Sequence, residues 1–61
     1  MRDLVYEAEG YNNGMAVYIH KIGQDNYQVT LRDLDSMQTV EIRRGYKTLA
    51  QAKAYASKCL A

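Results

Sequence analysis

The sequence predicts an α+β fold in which an antiparallel meander of three or four strands carries one C-terminal helix on one face. Two observations lead to this prediction. Three stretches between residues 15 and 43 alternate apolar and polar side chains, and connections of about four or five residues join them. Such short connections permit antiparallel pairing and exclude a parallel crossover. Residues 48–60 are instead rich in alanine and have helical periodicity.

The predicted strands comprise residues 4–9, 15–21, 27–32 and 37–43. The third has the clearest alternation of apolar and polar side chains, and the first has the weakest, so residues 1–14 are treated as a possible extra strand. Glycine, asparagine and aspartate separate the strands, as expected for turns. We therefore expect residues 15–44 to form the meander.

The predicted core combines one face of the sheet with one stripe of the helix. In the last strand we expect Val40 and Ile42 to point inward. We expect Thr39, Glu41 and Arg43 to point outward. The predicted core residues are Val17, Ile19, Val29, Leu31, Val40, Ile42, Leu49, Ala52 and Ala56.

The helix has a recognisable start. Thr48 and Gln51 have the spacing of a capping box, in which the Thr48 hydroxyl accepts from the Gln51 backbone N–H and the Gln51 side chain accepts from the Thr48 N–H. About three turns of mostly small apolar residues are marginal as an isolated helix. The apolar stripe therefore requires the sheet as its partner.

Length and composition indicate a single domain spanning residues 1–61. A chain of this size is close to the lower limit for folding without a disulfide or a metal. Cys59 is the only cysteine, and no apolar run approaches the roughly 20 residues of a membrane-spanning helix. The N-terminus lacks the pattern of a signal peptide. We therefore expect a cytoplasmic protein without a membrane contact.

The net charge of +1 is unevenly distributed. Residues 1–40 contain three basic and six acidic side chains, a net −3, whereas residues 41–61 contain five basic and one acidic, a net +4. This asymmetry is consistent with an interaction surface, and equally with attraction between two halves of one small protein.

No group of side chains has the spacing of a catalytic or metal site. His20 has no sequential orienting partner and is interpreted as a surface residue. Cys59 lies near the helix C-terminus, where the helix dipole disfavours a thiolate, and is interpreted as a core residue. Asp33, Asp35 and Ser36 are more typical of a turn than of a calcium loop. We expect no enzymatic activity, no cofactor and no metal.

The sheet face away from the helix is expected to be polar, aromatic and modestly basic. A solvated surface and a recognition platform both fit this description. In favour of a platform, the chain has six tyrosines, and tyrosine is enriched at recognition surfaces. The predicted partner-binding residues are Tyr18, His20, Arg32, Arg43 and Arg44.

Within residues 15–60, the predicted three-stranded sheet is followed by a basic residue, an aromatic residue, a threonine and an alanine-rich helix. Arg44, Tyr46 and Thr48 occupy these positions before the helix. The pattern resembles the arm-type DNA-binding domains of tyrosine recombinases, which lay their sheet in the major groove. The resemblance implies a DNA-binding accessory domain. Its phosphate contacts would be Arg32, Arg43, Arg44 and Lys47.

The whole chain is also similar in size and element order to small phage-encoded proteins, including anti-CRISPR inhibitors built from a β-meander and a helix. This resemblance implies a viral protein that occupies a surface of a host protein or nucleoprotein complex and blocks or regulates it. The predicted outward face has few cations, so the phosphate attraction that dominates nucleic-acid affinity would be small. We therefore take the inhibitor or regulator as the leading hypothesis and DNA binding as the alternative, with a monomer or a homodimer both open.

Overall fold

A computed structural model describes residues 3–10 and 14–60. Its elements are β1 (Asp3–Gly10), β2 (Met15–Gly23), β3 (Asn26–Asp33), β4 (Gln38–Tyr46) and α1 (Leu49–Leu60). The strands form one antiparallel sheet in the order β1-β2-β3-β4, and α1 packs on it, which confirms the predicted α+β meander with a C-terminal helix. β1 joins the sheet as an edge strand. Residues 11–13 of the predicted first turn lie outside the described residues.

The entrance to α1 follows the predicted cap with one change. The Gln51 backbone N–H donates to Thr48 Oγ1 at 3.2 Å, as the capping-box spacing predicts. The Gln51 side chain reaches one residue further back than predicted and accepts from the Lys47 N–H at 3.1 Å. The two contacts fix the direction in which the chain leaves β4 and enters α1.

The buried core lies between α1 and the two central strands. A helix about 10 Å across covers about two strands spaced about 4.8 Å apart. α1 accordingly packs mainly on β2 and β3. Leu31 and Leu49 are partly buried against the resulting cluster. The buried cluster consists of Val17, Ile19, Val29, Ala52 and Ala56, all of them predicted core residues.

β4 turns the opposite face toward α1 from the one that the sequence pattern predicted. Val40 and Ile42 are 55% and 48% exposed, whereas the Tyr55 hydroxyl of α1 donates to the Glu41 carboxylate. The prediction that Val40 and Ile42 belong to the core was therefore wrong. Irregular pairing with β3 occurs on both sides of residues 41–43, and each bulge changes which side chains share a face. The helix does not cover the sheet at this edge, so apolar side chains on β4 need not face the helix.

Ile19 on β2 and Ile42 on β4 test this orientation. Ile19 is fully buried, so Ile19→Ala should lower the free energy of unfolding by about 2–5 kcal/mol. Ile42→Ala should lower it by less than about 1 kcal/mol, because that side chain is half exposed. Urea unfolding followed by circular dichroism measures both. Equal losses for the two variants would mean that Ile42 faces the core after all.

Candidate functional site

Four side chains of β2 and β3 line a shallow hollow of about 270 Å³ on the sheet face turned away from α1, here called the open face. They are Tyr18, His20, Thr30 and Arg32. Strand alternation places them there, because Val17, Ile19 and Val29 point into the core. The register pairs Tyr18 with Thr30, so the aromatic ring and the hydroxyl lie side by side.

Arg32 is the cation of this hollow. Its Cζ lies 5.5 Å from the centroid of the Tyr18 ring. Within the described residues, Arg32 Nε and His20 Nδ1 are buried without a hydrogen-bond partner. A buried polar atom left unpaired costs roughly 1–3 kcal/mol. Two of the four residues that line the hollow thus each have a polar atom that the described part of the chain leaves unpaired.

Gln28 lies beside the hollow and is buried, with 2% of its surface exposed. Its Oε1 accepts from Arg44 Nε at 3.0 Å, and its Nε2 donates to Thr30 Oγ1 at 3.4 Å. Gln28 thus connects Arg44 on the edge strand to Thr30 in the hollow. The sequence pattern placed Gln28 on the open face but contained no signal for its burial, which depends on a partner 16 residues away.

Three of the five predicted contact residues, Tyr18, His20 and Arg32, meet in one hollow. Arg44 joins the same face through Gln28. Arg43 does not, because its Cζ lies 4.9 Å from the Tyr55 ring centroid on the helix side of the sheet. The prediction that Arg43 points outward, away from α1, was therefore wrong. The cause is the same as for Ile42, because β4 turns the opposite face toward α1 from the one predicted.

The margins of the open face are apolar and acidic. Leu4 on β1 pairs with His20, Ile42 on β4 pairs with Thr30, and both side chains are about half exposed. Glu7 and Glu9, also on β1, pair with the β2 residues Tyr18 and Ala16 and so belong to this face. The hollow is therefore bounded by two hydrophobic side chains and, along β1, by negative charge.

On the helix side, Glu41, Arg43 and Tyr55 form a cluster that we call the β4 clamp. Arg43 Nε donates to Glu41 Oε2 at 2.8 Å, and the Tyr55 hydroxyl donates to the same carboxylate. The hydrogen bond from Tyr55, followed by that from Arg43, holds the pKa of Glu41 below its ordinary value. The hydrogen bond to Glu41 in turn raises the pKa of Tyr55. Tyr55 also stacks on Tyr46 with centroids 5.8 Å apart, so the clamp attaches β4 to α1.

Other candidate sites from the sequence have structural roles. The Asp35 N–H donates to Asp33 Oδ1 at 2.9 Å, which is the hydrogen bond of an aspartate turn. Cys59 is partly buried and packs against the core cluster. Across residues 3–10 and 14–60, no group of three or more His, Cys, Asp or Glu side chains could hold a metal ion. In the same part of the chain, no helix has the length and apolar character needed to cross a membrane.

No protein-family model, curated protein or solved structure matches the chain. The geometry of the open face is therefore the basis on which we infer a function.

The β4 clamp predicts a pH dependence of stability. Because the folded-state pKa of Glu41 is lowered, its contribution is present above the unfolded-state pKa and is lost as the pH falls through the folded-state pKa. Glu41→Gln should be less stable than the parent protein near neutral pH, and the difference should shrink in acid. Urea midpoints measured from about pH 7 to about pH 2 test this. A difference that stays constant over that range would contradict a stabilising charge on Glu41.

Proposed function

We propose that the protein is a non-enzymatic interaction module of phage or mobile-element type that binds a host protein or nucleoprotein complex through the open face and thereby blocks or regulates it. One observation carries the proposal. The hollow lined by Tyr18, His20, Thr30 and Arg32 lies on a face that α1 leaves uncovered, and His20 and Arg32 each have a buried polar atom without a partner in the described residues.

The composition of the face supports a protein partner. Tyrosine and arginine are the residues most enriched among binding hot spots, and here Arg32 lies over the Tyr18 ring in the middle of the sheet. Leu4 and Ile42 add exposed apolar surface on either side. A central aromatic and arginine pair with apolar flanks is suited to burial against another protein surface.

DNA binding through the same face is the second candidate, and the presence of Arg32 and Arg44 on one face favours it. However, Arg43 lies on the other side of the sheet, and Glu7 and Glu9 belong to the open face. Nucleic-acid affinity depends mainly on the number of phosphates that basic side chains neutralise. Two arginines with two nearby glutamates can neutralise few phosphates, so we rank a protein partner above DNA.

Arg32 and Arg43 provide a matched pair for testing the face. Each guanidinium lies over a tyrosine ring, and each substitution by glutamine removes one positive charge. Tagged parent protein, Arg32→Gln and Arg43→Gln are used to capture proteins from a nuclease-treated bacterial lysate, and affinity for the captured partner is then measured. Arg32→Gln should weaken binding about tenfold or more, the effect of losing about 1.4 kcal/mol at a hot spot. Arg43→Gln should bind as the parent does.

Circular dichroism spectra and urea midpoints establish that both variants are folded at the assay temperature. Unchanged binding by Arg32→Gln, or a loss confined to Arg43→Gln, would contradict the open face as the binding surface. Capture that nuclease abolishes, together with a steep loss of affinity between about 50 and 200 mM salt, would favour the DNA-binding alternative.

A further inference from the structure

We infer that the hollow is a carboxylate-binding site, and that the partner inserts an aspartate or glutamate side chain between Arg32 and Thr30. The inference depends on the proposed function, because it specifies the chemistry of a partner bound at the same face. The first observation that supports the inference is which atoms donate and which accept in the hydrogen bonds that reach the hollow.

Arg44 determines the orientation of the Gln28 side chain. A guanidinium only donates, so the Gln28 amide atom that faces Arg44 Nε at 3.0 Å must be the oxygen. The amide nitrogen then points toward Thr30 and donates to its Oγ1 at 3.4 Å. A hydroxyl that accepts one hydrogen bond still has a hydrogen to donate. The Thr30 hydroxyl accordingly offers a donor at the hollow that it lines.

Arg32 offers the second set of donors. Its Nε is buried without an acceptor among the described residues, and its guanidinium lies over the Tyr18 ring. This distinguishes it from Arg43, which is paired with Glu41, and from Arg44, which is bonded to Gln28. The contact with the Tyr18 ring holds the guanidinium in place before a ligand arrives, which lowers the entropy lost on binding. A ligand that satisfies both residues must accept hydrogen bonds.

The charge around the hollow favours a single negative charge. Among the described residues, Arg32 is the only Lys or Arg side chain that lines it. Glu7 and Glu9 lie on the same face along β1, where they would repel an extended polyanion. One carboxylate matches one guanidinium, with which it forms short charge-assisted hydrogen bonds. A protein side chain therefore fits this hollow better than a nucleic-acid backbone does.

The probe is an acetylated and amidated Gly-Gly-Glu-Gly peptide, here called the glutamate peptide, which carries one carboxylate. It is titrated into the folded protein and followed by the amide and arginine Nε–H resonances. Gly-Gly-Gln-Gly with the same end groups, the glutamine peptide, is the control for the charge. The glutamate peptide should shift the resonances of Thr30 and Arg32 and their neighbours in the hollow, whereas the glutamine peptide should not. Equal shifts from the two peptides, or shifts confined to Lys53 and Lys58 of α1, would overturn the inference. Stronger shifts from an oligothymidylate would overturn it in favour of nucleic acid.

Two substitutions at one position separate the hydroxyl from the shape of the residue. Thr30→Val keeps the branched shape and removes the donor, so affinity for the glutamate peptide should fall about tenfold, the effect expected for a hydrogen bond to a charged group. Thr30→Ser keeps the hydroxyl and should bind within about twofold of the parent. Equal affinity for Thr30→Val and the parent, with both folded by circular dichroism, would remove Thr30 from the site.

Failure of this inference and failure of the proposed function give different results. If the glutamate peptide occupies the hollow while Arg32→Gln captures the partner normally, the carboxylate site stands and the proposed function fails. If Arg32→Gln abolishes capture while the glutamate peptide leaves the resonances of the hollow unshifted, the open face is the binding surface but its ligand is not a carboxylate.

Discussion

The narrow contact between α1 and the strands β2 and β3 is the constraint on which the rest of the structure depends. The helix has 12 residues and buries only two of them fully, Ala52 and Ala56. These small side chains meet Val17, Ile19 and Val29 in the core cluster. Because one helix covers about two strands, β1 and β4 are left at the margins, where partly exposed and polar contacts replace the buried core.

The β4 clamp is the consequence at one margin. Glu41 and Arg43 occupy positions facing the helix that, on a central strand, would have to be apolar, and they contact Tyr55 at the side of α1. Their ion pair is partly exposed, so its contribution through charge is small, and the register with β3, with bulges on both sides of residues 41–43, defines the orientation of β4. That orientation turns Ile42 toward the open face and separates Arg43 from Arg32. The composition of the proposed binding surface thus depends on which face of β4 points toward α1.

The sequence was sufficient to predict the element order, the helix cap and the buried half of the core. Apolar residues recur at strand spacing in β2 and β3 and at helical spacing in α1. The sequence also predicted that Tyr18, His20 and Arg32 share a face, since each alternates with core residues on its own strand. It could not orient β4, because alternation defines two faces without assigning either to the core, and the bulges beside residues 41–43 shift the pairing. Nor could it predict the burial of Gln28, which requires Arg44 from another strand.

The side-chain orientation of β4 is the central structural claim, and nuclear Overhauser contacts measure it most directly. The structure predicts contacts from the Tyr55 ring protons to the Arg43 side chain, and from the Ile42 methyl groups to Thr30. Contacts from the Ile42 methyl groups to Ala52 or Ala56 would contradict it. In that case Arg43 would lie on the open face beside Arg32, and the separation of the two arginines, on which the functional test depends, would be lost.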